Sequence, residues 1–202
     1  MDQILRSITS RKELDNNIQG ILEDETLLLI IDMQEKLIRN IKGNQLIIFN
    51  IRKLIDTCNL LNVRIAITEQ NPLKLGKSLE SILEKRNYPK FEKMEFSCCK
   101  NTNFIDYLDE YNFKNIIVCG IESHICVLQT SIELLAKGFN ILIPRDAIGS
   151  RIELDNETAF LRLILSGAVA STTESLICEL CKTSNRKEFR EISKILKNSF
   201  SN

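Results

Sequence analysis

The segment CGIESHICVLQTS, residues 119–131, sets the one histidine of the chain, His124, two residues before Cys126. A glycine turn precedes the pair, and helix periodicity (Cys126, Leu128 or Gln129, Ile132, Leu135) begins at the cysteine. A cysteine that opens a helix has its thiolate favoured by the helix dipole and by free backbone N–H groups. The same groups can hold the oxyanion that forms when a carbonyl is attacked. Such a nucleophile needs a base for its proton. His124 would give a cysteine–histidine dyad, although two residues apart across a turn the side chains need not meet. Asp32, at the end of the apolar run in LLLIIDMQ, is better placed, in a partly dry position where its pKa is open to shifting. Each residue also has a plainer reading. An aspartate after a strand often caps the next helix, here before MQEKLI, and a lone cysteine at a helix start is more often structural than catalytic. The two together on one edge of a sheet favour chemistry.

That shared edge follows from the elements around them. Apolar runs at LLLIID (27–32), VRIAIT (63–68), NIIVCG (115–120), NILIPR (140–145) and, more weakly, GAVAST (167–172) read as strands, most of them buried on both faces. Helix-period segments fall between them at 45–61, 78–86, 104–111, 126–138 and 158–167. The alternation predicts a three-layer α/β/α domain with a mostly parallel, Rossmann-like open sheet of about six strands. Ligands of such sheets bind at the carboxyl ends of the strands. Asp32 and Gln34 after the first strand, Thr68, Glu69 and Gln70 after the second, and Gly120 to Cys126 after the third therefore share one edge. Cys119, inside a strand, is expected to be inert. Residues 1–24 read as a helical extension and 25–202 as a single domain. The tail, 186–197, reads as an amphipathic helix packing Phe189, Ile192 and Ile195 or Leu196 on the body.

Composition narrows the partners. The 202 residues are 44% hydrophobic and 27% charged, with 27 basic and 27 acidic side chains, so no net basic charge exists to neutralise phosphates and no nucleic-acid partner is expected. No apolar run approaches a membrane span, and the first residues lack the apolar core of a secretory signal. A soluble cytoplasmic protein with no membrane partner is the expectation. Seven scattered cysteines are an odd number without a disulfide framework. Cys178 and Cys181 form a C-x-x-C inside a helix-like stretch, read as core or half-buried thiols. One histidine makes zinc hard to build, and neither metal nor cofactor is expected.

LLIIDMQEKL, TEQNPLKLG, FEKMEFSCC, VCGIESHICVLQTSIELLAKGF and DAIGSR, in this order and spacing, resemble the isochorismatase-like cysteine hydrolase superfamily, in its isochorismatase domain-containing branch. The resemblance runs from about residue 25 to 195. It implies Cys126 as nucleophile, Asp32 as the acid–base, and Lys93, the lysine of K-M-E-F-S, as the cation beside the thiol, where it would lower the thiol pKa. It also implies a cis peptide at Ile121–Glu122 that aims the Glu122 N–H, with that of Cys126, at the oxyanion. The implied reaction is acyl transfer on a small amide or related C–N substrate, without metal and within a homo-oligomer. His124 then becomes a pocket or turn residue, joined by Gln34, Gln70 and Phe96 as candidate pocket residues. The zinc-binding histidines of nicotinamidases are missing after the second strand, and true isochorismatases carry glycine where Cys126 stands, so neither activity is implied. Two other readings keep the fold: a catalytically silent oligomeric interaction protein, and a thiol redox sensor using Cys126, Cys98 and Cys99.

Overall fold

The computed structural model describes residues 21–84 and 86–200. In chain order these residues form β1 Thr26–Ile31, α1 Glu35–Ile38, α2 Asn44–Leu60, β2 Arg64–Gln70, α3 Pro72–Leu75, α4 Glu80–Leu83, β3 Lys90–Lys93 and α5 Thr102–Tyr111. There follow β4 Asn115–Ile121, α6 Leu128–Ala136, β5 Asn140–Pro144, β6 Ile148–Gly149, α7 Glu153–Leu165, β7 Val169–Ser171, α8 Thr173–Cys181 and α9 Phe189–Lys197. The strands make one seven-stranded sheet in the order β3-β2-β1-β4-β5-β7, with β6 paired to the end of β4. Every pairing is parallel.

β1 and β4 are buried along their whole length, which is why they read as unbroken apolar runs. Alternate residues of β1 serve opposite layers. Leu28 and Ile30 pack with Ile51, Leu54, Leu176 and Ile192 of α2, α8 and α9. Leu27, Leu29 and Ile31 pack with Phe104, Leu134 and Leu163 of α5, α6 and α7. The tail helix docks Ile192, Phe189, Ile195 and Leu196 on the first of these layers. The chain leaves β1 towards β2 on one side and β4 towards β5 on the other. The crevice of this open sheet therefore lies at the carboxyl ends of β1 and β4, and Asp32 and the Cys126 turn follow those two strands.

Several local readings change. Strand β3, KFEK, has one buried aromatic and three charged residues at the sheet edge, too little apolar signal to register as a strand. With two-residue β6 it raises the count to seven. Helix α7 starts at Glu153, five residues before the apolar period at 158, because its first turn, ELDNE, is polar. The 78–86 segment shortens to α4. The helical extension proposed for residues 1–24 falls mostly outside the described residues; Glu23–Glu25 form a 3₁₀ turn. Cys178 is exposed rather than packed, whereas Cys181 is buried. Among the described residues no helix is long and apolar enough to cross a membrane.

Candidate active site

Gly120 allows the crevice to close around the chemistry. It lies opposite Ile31 in the β1–β4 ladder at φ +112°, and a Cβ there would stand 2.1 Å from the Ile31 carbonyl oxygen. No other residue combines that backbone conformation with that approach. Asp32 follows directly, in the left-handed region at φ +50° and fully buried. Its Oδ1 accepts the Thr68 hydroxyl at 2.7 Å, and its Oδ2 accepts Lys93 Nζ at 2.6 Å. Asp32 is therefore not a helix cap; the residue before α1 is Gln34.

Lys93 reaches this position because β3 runs beside β2 with Lys93 opposite Gln70. Its ammonium, only 4% exposed, also donates to Gln70 Oε1 at 2.7 Å. The Gln70 amide is held in turn, Nε2 donating to the Met94 carbonyl at 2.7 Å. The Cys126 sulfur lies 4.0 Å from the same Gln70 Oε1 and is 6% exposed. Asp32, Lys93, Gln70 and Cys126 are thus brought together from the ends of four strands.

Lys93 lowers the thiol as expected, but it is outweighed. Burial pushes the Cys126 thiol well above the ordinary range, the Asp32 carboxylate pushes in the same direction, and Lys93 offsets only part of this. Burial, the largest single influence, would lower Lys93, but the Asp32 carboxylate together with the Cys98 and Cys126 sulfurs holds the ammonium above its usual range. The cation already has a carboxylate at contact distance, 2.6 Å away, so the thiol lies beside a formed ion pair. Of the charged groups around the thiol, the Asp32 carboxylate acts on it most strongly.

The turn carrying Cys126 is not the helix start that periodicity implied. Ser123–Val127 form a π-helical turn, and α6 begins at Leu128. Cys126 lies within that wider turn, after β4 and the cis Ile121–Glu122 peptide bond. Glu122 is buried, its carboxylate taking the Arg151 Nε and the Arg151 backbone N–H at 3.1 Å. His124 turns away to Ser150 Oγ (Nδ1, 2.9 Å) and towards Asp155 (Nε2, 3.7 Å). Gln34 departs from a pocket contact. Its amide is consumed by backbone, taking the Gln70 N–H at 2.8 Å and donating to the Gln70 and Gly76 carbonyls. Phe96 is half exposed on the loop after Lys93.

Two further groups belong to the neighbourhood. Thr68, placed on the correct edge by its sequence position, orients the Asp32 carboxylate; a threonine ending a strand gives no pattern that would reveal this. Cys98 is buried, which pushes its thiol up to about 12, with Lys93 lowering and Asp32 raising it. Among the described residues no group of three or more His, Cys, Asp or Glu could hold a metal ion. Cys119 is buried in β4 and raised by burial.

A parallel open sheet with a buried carboxylate–ammonium pair beside a thiol at its switch point defines the class of α/β protein. The family model described as "Isochorismatase domain" matches residues 26–175, and the chain belongs to this family. It is similar to isochorismatase family protein 1B of Dictyostelium discoideum, 34% identical over 183 residues that cover 88% of each chain. It is also similar to isochorismatase domain-containing protein 2A of Mus musculus, 32% identical over 178 residues covering 88% of this chain and 85% of the relative. Among solved structures, the MAR1 ribonuclease from Caenorhabditis elegans superposes with a TM-score of 0.85 at 35% identity, covering 91% of this chain and 95% of that one. YcaC from Pseudomonas aeruginosa shares the fold, with a TM-score of 0.83 at 19% identity, covering 89% and 91%.

Proposed function

We propose that this isochorismatase-family protein is a metal-independent cysteine hydrolase acting on a small amide or related C–N compound through Asp32, Lys93 and Cys126. The observation that carries the reading is the buried chain Cys126–Gln70–Lys93–Asp32, whose only charges are one carboxylate and one ammonium, already paired. Asp32 takes the Cys126 proton as the sulfur attacks the acyl carbon, and Lys93 steadies the negative sulfur. The C–S bond forms, and the oxyanion is held by the Glu122 and Cys126 N–H groups. The intermediate collapses, the C–N bond breaks, and Asp32 returns the proton to the leaving amine. Water deprotonated by Asp32 then cleaves the thioester and restores the thiol. Gln70 positions Lys93, and Thr68 positions Asp32.

The test is a panel of small amides and carbamates followed by intact-mass spectrometry and amine release. The reading predicts a transient acyl adduct on Cys126 in the wild type, with adduct and turnover both lost in Cys126→Ser. A folded wild-type protein that neither turns over nor becomes acylated across the panel would remove the reading. Because the C. elegans neighbour is named a ribonuclease, the panel includes a single-stranded RNA. Cleavage of the RNA by wild type and Cys126→Ser alike would replace the thiol mechanism with another.

A further inference from the structure

Helix α7 presents two contrasting faces. Asn156, Ala159 and Leu163 are buried, and this inner face meets the π-helical turn, where Ser123 Oγ donates to Asn156 Oδ1 at 2.8 Å. The opposite face carries Leu154, Thr158, Leu161 and Leu165, spaced 4-3-4 along the helix, which puts all four on one stripe. The three leucines are 71%, 55% and 57% exposed. Ile152 just before the helix and Val169 on edge strand β7 just after it are also exposed and extend the apolar surface at both ends. Exposed apolar side chains gathered on one stripe of a water-facing helix are what an association site presents. The charges beside it indicate its partner. Glu157 and Arg162 flank the stripe on opposite sides, both are exposed, and among the described residues neither makes an ion pair within its own chain.

We propose that this face is a two-fold interface between two copies of the chain, with the α7 helices side by side and pointing the same way. A surface that pairs with itself must carry its own complement, and this one does. When two such helices lie in the same direction, each flank faces the opposite flank of its neighbour, one and a half turns further on. Glu157 of each chain then meets Arg162 of the partner subunit, five positions along, once on each side of the leucine seam. Reversing one helix would instead bring the Glu157 flanks together and the Arg162 flanks together, placing like charges across the seam. The leucines supply apolar contact and the two charges set its direction. Both helices are already held by their own domains, so little ordering is needed on association. The proposal stands independently of the catalytic reading.

Sedimentation velocity across the micromolar range, on the full chain, tests it. The wild type is expected at twice the 23.2 kDa chain mass, or at an even multiple. Leu161→Glu should halve the mass. Glu157→Arg and Arg162→Glu should each raise the dissociation constant at least tenfold, and the double reversal Glu157→Arg with Arg162→Glu should restore it. All three positions are exposed, and circular dichroism checks that the variants stay folded; the two charge variants keep the test decisive if the leucine variant does not. A monomeric wild type, an unchanged mass in Leu161→Glu, or a double reversal no tighter than the single ones would each overturn the proposal.

Discussion

Replacing Lys93 with methionine keeps the length and apolar stem of the side chain and deletes its charge. At 2.6 Å and an effective dielectric near 20, the Lys93–Asp32 attraction is about 6 kcal/mol. Burying each ion costs several kcal/mol, so the pair as a whole contributes little net stability. Removing one partner is different, because Asp32 then stays fully buried with no cation at contact distance, keeping the Thr68 hydroxyl as a donor. Breaking a buried pair in this way costs about 3–5 kcal/mol. For a domain of this size that corresponds to a melting point lower by roughly 10 °C. Asp32→Asn together with Lys93→Met removes both charges and should recover about 2 kcal/mol of the loss, as a coupling energy between touching groups. Thermal and urea denaturation at pH 7, run as a double-mutant cycle, give all of these quantities. A Lys93→Met loss under ~1 kcal/mol, or a double variant whose loss is the sum of the single ones, would refute the buried-pair argument.

The remaining expectations concern the thiol and its supports. Because burial and Asp32 both raise the Cys126 thiol, its iodoacetamide labelling should still be climbing at pH 9. Exposed Cys178 serves as the internal comparison, and an early plateau for Cys126 would contradict the assignment. Asp32→Asn removes the carboxylate that opposes ionisation, so it should speed that labelling at pH 8 while lowering turnover about 10²–10⁴-fold; peptide mass spectrometry and amine release read the two effects separately. Thr68→Val removes a hydrogen bond to a buried carboxylate and should cost about 1.5–3 kcal/mol on urea denaturation, with a fall in kcat. Gly120→Ala forces a Cβ into the Ile31 carbonyl at a positive φ and should cost about 3 kcal/mol or more, visible as a lower melting point or as loss of soluble protein.

Pattern and packing contributed different parts of this structure. The apolar strings of β1, β2, β4 and β5 could be read because a strand buried on both faces has no freedom to be polar. Their alternation with helices then allowed little but a parallel sheet, and with it the edge on which Asp32, Gln70 and Cys126 fall. Strand β3 and the first turn of α7 could not be read, since edge and surface segments are built from charged residues whose burial depends on neighbours far away in the chain. Lys93 illustrates the division. As one lysine among many it carried no local signal, and its role came first from a resemblance spanning several motifs. Its position opposite Gln70, and hence its contact with Asp32, depends on β3 choosing β2 as its neighbour.

By itself, then, the sequence determined the fold class, the edge at the carboxyl ends of the strands and the thiol that follows β4 on that edge, because hydrophobic periodicity and chain order are local properties. Tertiary structure alone decided the electrostatic character of the site. Which cation stands against Asp32, whether Gln34 meets backbone, and which charges act on the thiol all depend on distances of a few ångströms between the ends of four different strands.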